Sequence, residues 1–114
     1  MNAEYIKIKI MEEMQRHKGK ENAITREALR NELRVHTIMI DDRELRLLYV
    51  SLPLCSGDPG LWLPARPSEV QEFKTYLMAK IPAKKAEERV RRIYAFYPSL
   101  CPVNEFQQEL FNNG

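Results

Sequence analysis

Pro53-Leu54-Cys55-Ser56-Gly57-Asp58-Pro59-Gly60-Leu61-Trp62-Leu63-Pro64 holds two short apolar runs on either side of a Gly-Asp-Pro-Gly turn. That pattern predicts a β-hairpin with a tip of about four residues. The flanking prolines limit both strands to short edge pieces. The position of this hairpin decides how the remaining segments are arranged.

Two short helices are expected just before it. Thr25 is a good N-cap, with Ile24 and Leu29 at the positions of a hydrophobic staple. Ala28, Leu29 and Leu33 then continue an apolar stripe to about residue 33. Asp41 repeats the design, with Glu44 three residues on and Ile40 and Leu45 as the staple. This helix is expected over residues 42–51, with Leu45, Leu48 and Leu52 facing inward, Tyr49 at the edge of that face and Pro53 as the terminator.

The segment from Glu4 to His17 carries two signals. Tyr5-Ile6-Lys7-Ile8-Lys9-Ile10 alternates like a strand, while Ile6, Ile10 and Met14, with Met11, share one helical face. Glu12-Glu13-Met14-Gln15 favours a helix, and the segment is read as one. After the hairpin, Ser68 with Gln71 offers an N-cap for a fourth helix carrying Val70, Phe73 and Leu77, with Tyr76 and Ile81 nearby. Pro82 breaks the chain or begins a fifth helix, in which Ala86, Val90, Ile93, Tyr94 and Tyr97 recur at helical spacing. Pro98 and Pro102 close it, and one more turn around Phe106, Leu110 and Phe111 is an alternative to a frayed tail.

The chain has 114 residues, enough for one domain with a modest core, and its composition of 44% hydrophobic and 30% charged residues is ordinary. No run approaches the ~20 apolar residues of a membrane span, and no signal peptide is visible, so a cytoplasmic location without membrane contact is expected. Cys55 and Cys101 stand far apart and are read as reduced thiols. His17 and His36 are isolated, so a zinc site is not expected. There is no Gly-rich phosphate loop and no nucleophile elbow, which argues against an enzyme and against a bound cofactor.

The order helix, helix, helix, hairpin, helix resembles the small winged helix-turn-helix DNA-binding proteins of phages and prophages. The residues that carry the resemblance are Ala23-Ile24-Thr25-Arg26-Glu27-Ala28-Leu29, Asp41-Asp42-Arg43-Glu44-Leu45-Arg46-Leu47-Leu48, and the hairpin runs Pro53-Leu54-Cys55-Ser56 and Gly60-Leu61-Trp62-Leu63. The linker from Arg34 to Asp41 departs from the family: it exceeds the usual three-to-four-residue turn and has no glycine. The resemblance implies a mainly α fold with a small β-hairpin (α+β), a winged-helix core over residues 1–66 and a C-terminal helical extension over residues 67–114 packed on the same domain. The hairpin near residues 53–64 would be the wing.

The resemblance also implies a sequence-specific double-stranded DNA-binding protein of phage or mobile-element type, a transcription regulator or a binder of replication origins. The alternative is a winged-helix protein-interaction module in a nucleoprotein or phage assembly. In the DNA reading the 42–51 helix enters the major groove and presents Arg43, Arg46, Leu47 and Val50. Arg43 and Arg46 meet bases or phosphates, or else pair with local carboxylates. Lys18, Lys20, Arg26 and Arg30 are candidates for the DNA backbone beside the second helix, and Arg66 is the base nearest the wing, whose tip has none. Lys84, Lys85, Arg89, Arg91 and Arg92 are a further basic cluster, neutralised in part if Lys84–Glu88, Glu87–Arg91 and Glu88–Arg92 pair along the helix. Trp62 is expected to anchor the hairpin to the core. The abundance of aromatics after residue 70 points to a homodimer face on the C-terminal helices.

Overall fold

The computed structural model describes residues 2–101. Among them the fold is mainly helical with one small antiparallel sheet. Helix α1 spans Ala3–Met14, α2 Arg26–Val35 and α3 Asp42–Tyr49. Strands β1 (Cys55–Gly57) and β2 (Gly60–Trp62) follow, then α4 (Pro67–Met78) and α5 (Ala83–Phe96). No helix among the described residues is long and apolar enough to cross a membrane. The expected turn around Phe106, Leu110 and Phe111 lies outside the described residues.

The alternating residues near the N-terminus form a helix. Ile6, Ile10 and Met14 are its buried face, and the Asn2 side chain caps it by accepting from the Glu4 amide at 2.8 Å. A strand would have placed Ile6, Ile8 and Ile10 on one face, whereas the helix buries Ile6 and Ile10 together with Met14 and leaves Ile8 exposed. The Thr25 hydroxyl accepts from the Ala28 amide at 3.1 Å, and an Asp41 carboxylate oxygen accepts from the Glu44 amide at 2.7 Å, as the capping patterns predict. The Glu44 amide, with that of Arg43, holds the Asp41 carboxyl below its ordinary value.

The glycine-free linker closes α2 with a Schellman motif. Thr37 takes a left-handed φ of 61°, and the amides of Thr37 and Ile38 donate to the carbonyls of Arg34 and Leu33 at 2.9 and 3.0 Å. Ile38 and Leu33, both buried, supply the apolar contact that accompanies this motif. A β-branched residue in this region is strained, and the packing of Ile38 holds it there.

Strand β2 is the centre of the molecule. One edge pairs with β1 in the register Cys55↔Trp62, Ser56↔Leu61 and Gly57↔Gly60, so the loop is the two residues Asp58 and Pro59, tighter than the four-residue tip expected. Along the other edge the Ile24 amide donates to the Leu61 carbonyl at 2.9 Å and the Leu61 amide to Ile24 at 2.7 Å. Farther along, Gly19 and His17 exchange bonds with Leu63 at 2.8 Å each. Side chains alternate across this layer. Leu54, Leu61 and Leu63 join the core formed with α1, α2 and α3, whereas Cys55 and Trp62 join a second core with Val70, Phe73, Leu77, Ala86, Val90 and Ile93 of α4 and α5.

Helices α3 and α4 also differ in detail from expectation. In α3, Tyr49 is buried and Leu48 only half-buried, and the helix ends at Tyr49, two residues early. The fourth helix begins at Pro67 with Arg66 at the N-cap, and Ser68 caps nothing. Glu69 takes over: its buried carboxylate accepts from the Ala65 amide at 2.8 Å and from the Lys20 amide, tying the turn before α2 to the start of α4.

Gly60 lies at φ 121°, and a Cβ there would sit 2.2 Å from the Ile24 carbonyl oxygen. Gly57 has a negative φ, and its nearest obstacle is the Trp62 ring at 3.3 Å. Gly60→Ala is therefore expected to cost about 2–4 kcal/mol, against under about 1 kcal/mol for Gly57→Ala, in urea unfolding. Equal costs would contradict the close approach of β2 to residue 24.

Candidate nucleic-acid interface

Helix α3 rests on Leu45 and Tyr49 and turns Arg43, Arg46, Leu47 and Val50 outward within about 100° of arc. Leu47 is 65% and Val50 39% exposed. The side chains of Arg43 and Arg46 are exposed and form no ion pair or hydrogen bond with the described residues. Local pairing is therefore not where their charge goes. The nearby Asp42 carboxylate is occupied from the side by Arg26, Nε to Oδ1 3.4 Å.

A groove of about 1080 Å³ opens beside this face. One wall is α2 and α3, with Arg26, Arg30, Arg46 and Val50. The hairpin contributes Ser56 to Asp58 with Gly60 and Leu61, and the far wall is the end of α4 with α5, including Tyr76, Lys80, Lys85, Glu88, Arg89 and Arg92. Its lining carries seven basic side chains against Glu27, Asp42, Asp58 and Glu88, an excess of three, where the whole chain carries only +2. The modest net charge thus conceals a local basic surface.

The basic residues divide into those that hold structure and those that stay available. Arg30 donates from Nε to the Ile40 carbonyl at 3.1 Å and so fixes the linker before α3. Arg92 donates to the Val50 carbonyl at 2.9 Å, capping the C-terminal end of α3 from α5. Arg89 reaches the Leu54 carbonyl at 3.4 Å with its guanidinium 4.9 Å from the Phe73 ring centroid, and burial pulls its pKa down. Lys80 and Lys85 are exposed and unpaired, Lys80 lying 5.2 Å from the centroid of the Tyr76 ring.

Of the residues singled out in the sequence, Arg26, Arg30, Arg46 and Val50 line the groove, and Arg43 and Leu47 share the α3 face beside it. Lys18, Lys20 and Arg66 do not line it. Arg66 pairs with Glu21 at 3.0 Å, Lys20 lies 5.7 Å from the Trp62 centroid at a separate cavity of about 90 Å³, and Lys18 is exposed beside its backbone bridge to Leu63. None of the expected pairs within α5 closes to an ion pair, and Arg92 turns to the Val50 carbonyl instead of to Glu88. The basic cluster on α5 was visible in sequence, but its docking against α3 was not: nothing local marks Arg89 and Arg92 as the residues that cross over.

Trp62 is buried at the hairpin, as expected of an anchor. Of the C-terminal aromatics among the described residues, Phe73 is core, Tyr76, Tyr94 and Tyr97 are half-buried, and Phe96 is 58% exposed. Cys55, cross-strand partner of Trp62, is a fully buried thiol. Comparison of the chain with protein-family models, with curated proteins and with solved structures finds no match.

Burial pushes the Cys55 thiol from its ordinary value of 9.0 up to about 12, with the Glu69 charge adding to the effect. Below pH 9 the thiol is protonated whether the chain is folded or not. Between those two values only the unfolded chain releases the proton, so stability falls as pH rises. Urea unfolding at about pH 8 and about pH 11 is expected to show a smaller alkaline loss in Cys55→Ala than in the parent chain. An identical loss would contradict the burial of this thiol.

Proposed function

We propose that the chain is a winged helix-turn-helix protein that binds double-stranded DNA in a sequence-specific manner, with α3 as its recognition helix and the β1–β2 hairpin as its wing. The observation that carries this reading is the outward face of α3: two unpaired arginines interleaved with two exposed apolar residues, on a helix capped at one end by Asp41 and at the other by Arg92. Guanidinium groups of this kind fork onto guanine edges or phosphates, and Leu47 and Val50 match thymine methyl groups. The backbone pairing of Ile24 with Leu61 supports it as well, since it lays the segment before α2 along the free edge of the hairpin. The biological role in this reading is transcription regulation or replication-origin binding in a phage or mobile element, in the cytoplasm. A homodimer through the C-terminal helices belongs to the same proposal, with Phe96 and Met78 as the exposed apolar contacts.

A second reading, a protein-interaction module in a nucleoprotein or phage assembly, is favoured by the exposure of Leu47 (65%) on α3 and of Val35 (73%) and Met39 (70%) at the end of α2 and in the linker after it.

Fluorescence anisotropy with random-sequence duplex DNA separates the two. The DNA reading expects dissociation constants of roughly 10⁻⁴–10⁻⁶ M at physiological salt, weakening steeply as salt rises. Arg43→Ala or Arg46→Ala should cost about 1–3 kcal/mol on the specific site if the arginine reads a base, with unchanged unfolding curves. Absence of binding at low salt transfers the proposal to the protein partner, and loss of fold in either variant makes that arginine structural.

A further inference from the structure

We infer that the elbow between α4 and α5 is a second DNA contact, in which Lys80 and Lys85 bind backbone phosphates of the duplex whose major groove receives α3. This rests on the DNA reading of α3 and extends it to the C-terminal helices.

Both lysines line the groove on the wall opposite Arg46, both are exposed, and neither is committed to an ion pair. The groove wall around them is fixed by Arg89 and Arg92, whose guanidinium groups are held by the Leu54 and Val50 carbonyls. The elbow therefore stands at a set position relative to α3. A lysine is a flexible point charge, suited to phosphate positioning and not to base reading. Tyr76 supports the Lys80 side chain by its ring. The hairpin tip between the walls cannot supply the same contact: it has no base, and Asp58 repels phosphate. In this chain the backbone contact that a wing would make is therefore supplied by the elbow.

The test is binding of the full chain to random-sequence duplex DNA across about 50–200 mM salt. Removing a phosphate contact lowers the slope of log K against log salt by about one. The double variant Lys80→Ala, Lys85→Ala is expected to lower it by about two, equally on every sequence. A charge-matched control, Lys7→Ala with Lys9→Ala on α1, should leave the slope unchanged, since these lysines pair with Glu4 and Glu12 and lie outside the groove. Lys85 lies on α5, Lys80 in the turn before it, and Lys7 and Lys9 on α1, and thermal unfolding of the variants checks that the fold is retained. A parental slope in the Lys80, Lys85 variant, or an equal fall in the control, overturns the inference while the reading of α3 stands. No binding by the parent chain at the lowest salt overturns the reading of α3, and this inference with it.

Discussion

Strand β2 is packed on both faces and bonded on both edges, and the rest of the structure depends on it. Leu61 and Leu63 face the core of α1, α2 and α3, and Trp62 between them faces the core of α4 and α5. Each buried side chain of this size is worth about 1.5–3 kcal/mol. Three successive residues thus connect two apolar cores that neither set of helices could close alone. The backbone is equally constrained. His17, Gly19 and Ile24 bond to one edge and β1 to the other, and the approach at Ile24 leaves no room for a Cβ on Gly60. Glu69 adds a polar tie between the same halves, its carboxylate buried against two backbone amides.

Because the two cores share one strand, α3 and α5 are held on the same side of the molecule, and the groove between them is a consequence of the packing. Arg92 and Arg89 then lock the far wall to the backbone at Val50 and Leu54. These arginines, with Arg30, each donate one hydrogen bond to a backbone carbonyl, whereas the side chains of Arg43, Arg46, Lys80 and Lys85 face solvent. In the proposed reading this division assigns the first group to the shape of the site and the second to the ligand. A chain that is nearly neutral as a whole can thus present a concentrated basic surface.

What could be read in the sequence was whatever is decided locally. Thr25 and Asp41 announce their helices because a capping side chain bonds an amide three residues away. Gly57 and Gly60 mark the hairpin because they flank its turn, and Ile6, Ile10 and Met14 overrule the alternating pattern through burial on one face. The misjudged positions were decided at long range. Ser68 looked like a cap, but Glu69 finds better partners in Ala65 and in Lys20, the latter far away in sequence. Tyr49 is buried in place of Leu48 in a short helix covered from more than one side. The α5 charges were expected to neutralise one another along the helix, yet Arg92 reaches across to the end of α3. The outward face of α3 was legible from helical periodicity alone, whereas the opposing wall of the groove required the tertiary fold.

The most direct test of the central claim is to map the amide chemical shifts of the isotopically labelled chain during titration with duplex DNA at low salt. The account predicts perturbations concentrated on α3 from Arg43 to Val50 and on the elbow from Lys80 to Lys85, with the exposed face of α1 around Tyr5 and Ile8 unaffected. Perturbations confined to α1, or an unchanged spectrum at saturating DNA, would contradict it.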